Sequence, residues 1–237
     1  MGISERRRHG QDRWLADLES GLFAVFDGVG GLAGSERAAE HAARGLPQLC
    51  RSLPGRPLER LAGALSALSS EIAALQLGAT TATALWLVEE VGWWISVGDS
   101  RLYLLRDREL VQLSRDQGEG NLLDSALGFQ EPDASLTRQR GRLELRGGDR
   151  LALVTDGVTG DFPPEILGRE ELAAALSSPS AQLAAEALVR AGRKLDDRTA
   201  VVLDWLRPMA EPGLAPAPGA VPGPLSPGAG GGLPGSS

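Results

Sequence analysis

The order of apolar segments predicts an α+β chain in which strands and helices are segregated. Three observations carry that prediction. One strand is followed by two helical stretches, then a long run of strands, two more helical stretches and a last strand, without the βαβ alternation of a parallel doubly wound sheet. The run of strands is broken by hairpin-type turn signals, which join antiparallel neighbours. No self-similarity at a period of about 20–50 residues is visible, which sets aside solenoids and propellers. A β-sandwich covered by helices satisfies all three.

Each element follows from its residues. Leu22-Phe23-Ala24-Val25-Phe26 is an apolar run stopped by Asp27-Gly28 and reads as a buried strand. Gly30, Gly31 and Gly34 follow, then Ser35 as the N-cap of a helix through about Cys50. Leu61, Leu65, Leu68, Ile72 and Leu75 recur at steps of four and three, one face of a helix that opens near Pro57 and closes at Gly78. Thr80–Val88 and Val91–Val97 form a hairpin around Glu90–Gly92, and Leu102–Leu105 with Leu110–Leu113 form another around Asp107-Arg108. From Asp116 to about Leu136 the chain is polar and without period, an excursion or flap. Leu143–Leu145 and Leu151–Val154 are strands, and Leu172–Leu176 and Leu183–Leu195 are helical. In the second of these, Leu183, Ala187, Leu188, Ala191 and Leu195 are expected to face inward. Thr199–Leu206 is the last strand.

Composition narrows the function. Of 237 residues, 42% are hydrophobic and 23% charged, as in an ordinary globular protein. The longest apolar runs fall short of the ~18–20 residues of a membrane span, and Glu5-Arg6-Arg7-Arg8-His9-Gly10 stands where a signal peptide needs its apolar core. A cytoplasmic chain without membrane insertion is expected. One cysteine (Cys50) and two histidines (His9, His41) cannot build a disulfide framework or a Cys/His zinc site. Any metal must therefore be held by oxygen, which points to Mg, Mn or Ca. A net charge of −7 argues against a nucleic-acid partner. Basic charge is carried by arginine except for one lysine, Lys194, a skew that reads as codon bias in a GC-rich genome. Pro208–Ser237 holds 8 Pro, 8 Gly and one charged residue, Glu211, and cannot bury enough apolar surface to order itself. A disordered tail over 208–237 is expected, a linker or solubilising segment, with docking to a partner as the alternative.

The chemistry lies in the aspartates. Asp27, Asp99 and Asp156 each end an apolar run and have glycine beside them, as Phe26-Asp27-Gly28, Gly98-Asp99-Ser100 and Thr155-Asp156-Gly157. Asp196-Asp197 is the mirror case, just before the final strand. Singly, an Asp-Gly pair is a turn former. Together, buried strands that each deliver a carboxylate can gather several at one rim of a sheet, where like charges need protons or cations to neutralise them. Glycine lets the backbone approach a bound ion closely. The inference is a hard-cation site built from strand ends, with turns as the alternative.

Six elements in order then resemble the metal-dependent, type 2C protein serine/threonine phosphatases. Arg7-Arg8-His9-Gly10-Gln11-Asp12 is similar to that family's R-x-x-N-[EQ]-D, Asp27-Gly28-Val29-Gly30-Gly31 to D-G-x-G-G, and Gly78-Ala79-Thr80 to G-[SA]-T. Gly98-Asp99-Ser100-Arg101 is G-D-S-R unchanged; Thr155-Asp156-Gly157 matches [ST]-D-G, and Asp196-Asp197-Arg198-Thr199 resembles D-[ND]-x-T. The elements run from Arg7 to about Leu206. The resemblance implies a central antiparallel β-sandwich flanked by helices, four layers α-β-β-α, with a dinuclear Mn2+ or Mg2+ site at one edge. It implies a catalytic domain over 1–207, in which Asp27 bridges two metals, Gly28 offers its carbonyl, and Asp156 and Asp196 complete the pair. Asp12 would stand in or just behind that set, Asp99 with Asp156 would face the third metal of bacterial members, and Arg7 would bind the substrate phosphate.

The implied activity is hydrolysis of phosphoserine and phosphothreonine by direct attack of a metal-bridging hydroxide, on protein substrates of a bacterial kinase. Two cations offset the charge of a phosphate dianion and acidify water, and a guanidinium fork matches two phosphate oxygens. The chain departs from the family at Gly10, where Asn is usual, at Gln11 for Glu, and at Val29, where many eukaryotic members carry His; an apolar residue there is the bacterial pattern. The stretch between Asp99 and Asp156 is short, so a reduced flap is expected. A pseudophosphatase that binds phosphoproteins without turning them over is the alternative, with Gly10 the feature in its favour.

Overall fold

A strand that is apolar at every position needs cover on both faces. The computed structural model, which describes residues 1–6, 8–119, 122–129, 136 and 139–206, supplies it with two five-stranded antiparallel sheets stacked on each other. The first contains, in spatial order, β1 (Gly2–Arg6), β12 (Arg198–Asp204), β11 (Arg150–Val154), β6 (Arg101–Arg106) and β7 (Glu109–Gln112). The second contains β10 (Arg140–Glu144), β5 (Val91–Val97), β4 (Ala82–Val88), β3 (Leu22–Phe26) and β2 (Arg13–Asp17). A short pair, β8 (Gly118–Glu119) and β9 (Leu122–Leu123), lies in the excursion.

Side-chain alternation divides the core into three layers. Phe23 and Val25 of β3 point into the sandwich, where they meet Leu102, Leu104, Leu151, Leu153, Val201 and Leu203 of the first sheet. Their neighbours Leu22, Ala24 and Phe26 pack outward on α1 (Ser35–Ser52) and α2 (Pro57–Ala74). A single helical turn, α3 (Asp156–Thr159), follows β11. Ala152, Val154, Ala200 and Val202 pack the other way, under α4 (Arg169–Leu176) and α5 (Ala181–Ala191). The result is the expected four-layer α-β-β-α arrangement. Among the described residues, no helix is long and apolar enough to cross a membrane.

The two hairpins form where the turn signals placed them, with Glu89, Asp107 and Arg108 in the left-handed region. Three details differ from the sequence reading. Both N-terminal strands escaped it, because Gly2–Arg6 and Arg13–Asp17 lack an apolar run and sit at sheet edges. Ser35 does not cap α1: Gly34 holds that place, and Ser35 Oγ donates to the carbonyls of Val29 and Leu32 at 2.7 and 3.1 Å, folding the glycine-rich loop. The inward face of α5 is also rotated. Leu183 and Leu195 are exposed, whereas Ala181, Ala184, Ala185, Leu188 and Val189 are buried. Close approach to β1 contributes at the first turn: a Cβ on Gly2 would lie 2.2 Å from Gln182 N and 2.3 Å from the Ala181 carbonyl, so the strand passes tightly there, while Leu188 and Val189 fill the core farther along. The tail over 208–237 lies outside the described residues.

Candidate metal centre

Strand direction gathers the aspartates at one rim. β3 and β5 each run antiparallel to β4, so both end on the same side, delivering Asp27 and Asp99. β2 runs antiparallel to β3 with Arg13 opposite Phe26, so the residue before it, Asp12, sits beside Asp27. In the other sheet β11 and β12 are antiparallel, and Val154 lies opposite Ala200. The end of β11 therefore brings Asp156 to the same rim that Asp196, at the start of β12, occupies. Asp27, Gly28, Asp99, Asp156 and Asp196 line one cleft of about 330 Å³, together with Val29 and Lys194. Asp12 is buried just behind it. Arg7 lies outside the described residues.

The backbone around Asp27 is fixed from β4. Asp27 N donates to Thr81 Oγ1 at 3.0 Å, and its carbonyl accepts from Thr80 Oγ1 at 2.9 Å and Thr81 N at 2.8 Å. Thr81 Oγ1 in turn meets Ser100 Oγ at 2.8 Å, which links the Asp27 and Asp99 turns. Asp12 Oδ2 accepts from Thr199 Oγ1 at 2.7 Å and Thr155 Oγ1 at 2.9 Å, tying it to the elements that carry Asp196 and Asp156.

Crowding shows in the acidities. Burial pushes Asp12 up to about 7 against its two threonine hydrogen bonds, with the charges of Asp197 and Asp156 adding to the rise. Burial and the charges of Asp156 and Asp161 bring Asp99 to about 7 also. Asp27 is raised well above the carboxylate range by burial first, then by the charges of Asp12 and Asp156 beside it. Like charges gathered in a buried site need protons or cations to neutralise them.

The sequence reading gave three residues of the site no role in it. Asp197 gathers the segment before β2: His9 N donates to its Oδ1 at 2.7 Å, Asp12 N to its Oδ2 at 3.3 Å, and the N–H groups of Arg8 and Gln11 donate as well. Burial acts to raise its pKa, but these backbone donors hold it below the usual carboxylate range. The segment includes Gly10 at φ +74°, a left-handed conformation that suits glycine and that asparagine tolerates better than most residues. Gly10 in place of Asn therefore leaves this turn intact. Asp161 and Lys194 are the other two. The Lys194 ammonium pairs with Asp156 Oδ2 and lies 2.8 Å from Asp161 Oδ2 and 3.4 Å from Asp196 Oδ2. Burial opposes its charge, but Asp156 and Asp161 hold its pKa above that of a free lysine.

The residues present fit a hard cation. Among the described residues, buried Asp12 Oδ1 and Asp156 Oδ1 have no hydrogen-bond partner, and Asp161 Oδ2 faces Lys194 without hydrogen-bond geometry. Asp99, Asp156 and Asp161 each offer an oxygen, all within 4.8 Å of one another. An all-oxygen set of this kind suits Mg2+ or Mn2+. The remaining residues of interest are structural: His41 pairs with Glu71 at 2.8 Å, His9 is exposed, and Cys50 is a buried free thiol.

A family model described as Protein phosphatase 2C matches residues 4–191. The chain belongs to this family. The serine/threonine protein phosphatase PstP of Mycobacterium tuberculosis is 32% identical over 211 residues, which covers 77% of this chain and 40% of PstP. The chain thus spans about 40% of the length of the curated relative it matches. Among solved structures, the PPM Ser-Thr phosphatase MsPP from Mycobacterium smegmatis, in complex with cacodylate, aligns with a TM-score of 0.70 at 25% identity over 86% of this chain and 98% of MsPP. A PstP catalytic domain in complex with two manganese ions aligns with a TM-score of 0.66 at 27% identity, over 86% of this chain and 98% of that one. The sandwich and its rim are thus a protein phosphatase 2C fold.

Proposed function

We propose that this chain is a Mn2+- or Mg2+-dependent protein serine/threonine phosphatase acting on phosphoserine and phosphothreonine in substrates of a bacterial protein kinase. One observation carries the reading: five strand ends from two sheets bring Asp12, Asp27, Asp99, Asp156 and Asp196 to one rim, where buried oxygens of Asp12 and Asp156 lack partners among the described residues. Asp27, the Gly28 carbonyl, Asp156 and Asp196 hold two divalent ions in this reading, while Asp12 braces Thr155 and Thr199 from behind. When bound, the ions supply Lewis acidity toward the phosphate and lower the pKa of a water. Arg7, assigned on its motif, clamps phosphate oxygens with a guanidinium that stays charged at any working pH. Val29 in the cleft carries no titratable proton, so the leaving oxygen takes its proton from water. Manganese, seen with PstP, is the ion to test first. The catalytic unit extends to about residue 207, the tail serves as a linker or docking segment, and the chain works in the cytoplasm.

The test is turnover of p-nitrophenyl phosphate and a phosphothreonine peptide, with and without Mn2+. Mn2+-dependent hydrolysis is expected, and none above an Asp156→Asn control overturns the reading. A second reading, a phosphoprotein-binding pseudophosphatase, is favoured by the Lys194 ammonium resting on Asp156 and Asp196. It predicts phosphopeptide binding without turnover in the same samples.

A further inference from the structure

Lys194 is the one lysine in a chain that otherwise uses arginine throughout. It stands in the turn between α5 and β12, two residues before Asp196, and its side chain is 15% exposed. That side chain reaches Asp156 and Asp161, two members of the Asp99–Asp156–Asp161 cluster whose oxygens lie within 4.8 Å of one another, and lies farther, at 3.4 Å, from Asp196 of the proposed metal pair. It leaves untouched the opposite oxygen of Asp156, Oδ1, which is buried without a partner among the described residues, in a residue 8% exposed. The cluster thus has the oxygens to hold one cation, and a cation tethered to the chain already enters it. An ammonium presents three donors at hydrogen-bond distance, whereas Mg2+ needs near-octahedral oxygens at about 2.0–2.1 Å. The two demands cannot be met in one space, and positive charges a few ångströms apart repel.

We propose that the Lys194 ammonium is the resident cation of the Asp99–Asp156–Asp161 cluster and takes the place of a third divalent ion. The chain then has two exchangeable metal positions, and its third positive charge is covalently attached and indifferent to metal supply. Arginine, with a wide planar fork, does not offer the compact charge that this pocket surrounds, which gives the isolated lysine a chemical reason. The count of two rests on the proposed metal centre; the placement of the ammonium rests on the ion pairs alone.

The experiment is equilibrium dialysis of the full chain against Mn2+, with bound metal counted by atomic emission, for wild type and Lys194→Gln, with circular dichroism to establish folding. Two Mn2+ per wild-type chain and three per Lys194→Gln chain are expected. Equal counts in the two proteins, or three in wild type, overturn the inference. One in wild type and two in the variant means that the ammonium displaces a member of the metal pair, which overturns both the third-position assignment and the phosphatase reading. None in either protein overturns the metal centre, and melting curves in chelator then judge the ammonium by itself. Lys194→Gln should melt several degrees below wild type there, and an unchanged curve overturns the inference. Should the variant not fold, acylation of wild-type Lys194 by an amine-reactive reagent, followed by mass spectrometry, replaces it. Saturating Mn2+ should leave the low reactivity of Lys194 unchanged, and Mn2+-induced labelling refutes the placement.

Discussion

Replacing Asp12 by asparagine should stabilise the metal-free protein at alkaline pH, contrary to the usual effect of altering a buried, hydrogen-bonded residue. Asp12 is 2% exposed, with Oδ2 satisfied by Thr155 and Thr199 and Oδ1 without a partner among the described residues. Its pKa is raised from 3.8 to about 7, by burial first. Below about pH 4 the carboxyl is protonated in both folded and unfolded chains and contributes no pH dependence. Between about pH 4 and 7 the folded state keeps a proton that the unfolded state releases, so stability falls as pH rises; above about 7 the full penalty is present. A shift of about three units at about 1.4 kcal/mol each gives about 4 kcal/mol, an upper limit because neighbouring carboxyls titrate with Asp12. Asparagine keeps an acceptor for the two threonines but leaves an amide N–H unpaired, at about 1 kcal/mol or more. In chelator at pH 8, Asp12→Asn should therefore exceed wild type by about 2–3 kcal/mol, and near pH 4 the order should reverse by about 1 kcal/mol, the cost of the unpaired amide. Saturating Mn2+ should shrink it by neutralising the wild-type cluster. Urea unfolding at a series of pH values measures the difference directly. A difference that does not grow with pH, or a variant less stable than wild type at pH 8, refutes the assignment of Asp12 as a buried charge.

Asp197→Ala should cost at least about 3 kcal/mol, since it strands several backbone N–H groups that now meet a carboxylate. Because Asp197 has a depressed pKa, its contribution should be present above about pH 4 and lost as pH falls below that, and an acid titration of wild type against variant checks the sign. Gly157→Ala places a Cβ 1.7 Å from the Asp197 carbonyl oxygen, so it should destabilise by about 1–3 kcal/mol or more and weaken Mn2+ binding through the displaced Asp156 turn. Normal melting and normal Mn2+ affinity in that variant would contradict the packing. Cys50 is 1% exposed with its thiol pushed up to about 12 by burial, so a thiol reagent at pH 8 should react only after denaturant is added.

The sequence exposed those parts of the molecule that depend on neighbouring residues. Asp27, Asp99 and Asp156 were readable because each closes an apolar strand with glycine at its side, and the Asp107-Arg108 turn because hairpins are local. Lys194 escaped because its role appears only when β11 places Asp156 beside it, 38 residues away in the chain. Asp197 escaped for the same reason: its partner His9 is 188 residues distant. The rotation of α5 shows a different limit. Leucine spacing marks one greasy face, but the buried face is Ala181, Ala184, Ala185, Leu188 and Val189, and the tight passage of β1 beneath Ala181 and Gln182 is a tertiary contact that spacing cannot show.

The rim draws on both sheets, with Asp12, Asp27 and Asp99 from one and Asp156 and Asp196 from the other. Unneutralised charge there would push apart two sheets that Asp12 ties across the rim through Thr155 and Thr199, and that Phe23, Val25, Leu102 and Leu153 hold together farther in. A cation held at the rim would therefore join the two sheets as well as offset the charge, so that occupancy of the site and cohesion of the sandwich would rise together.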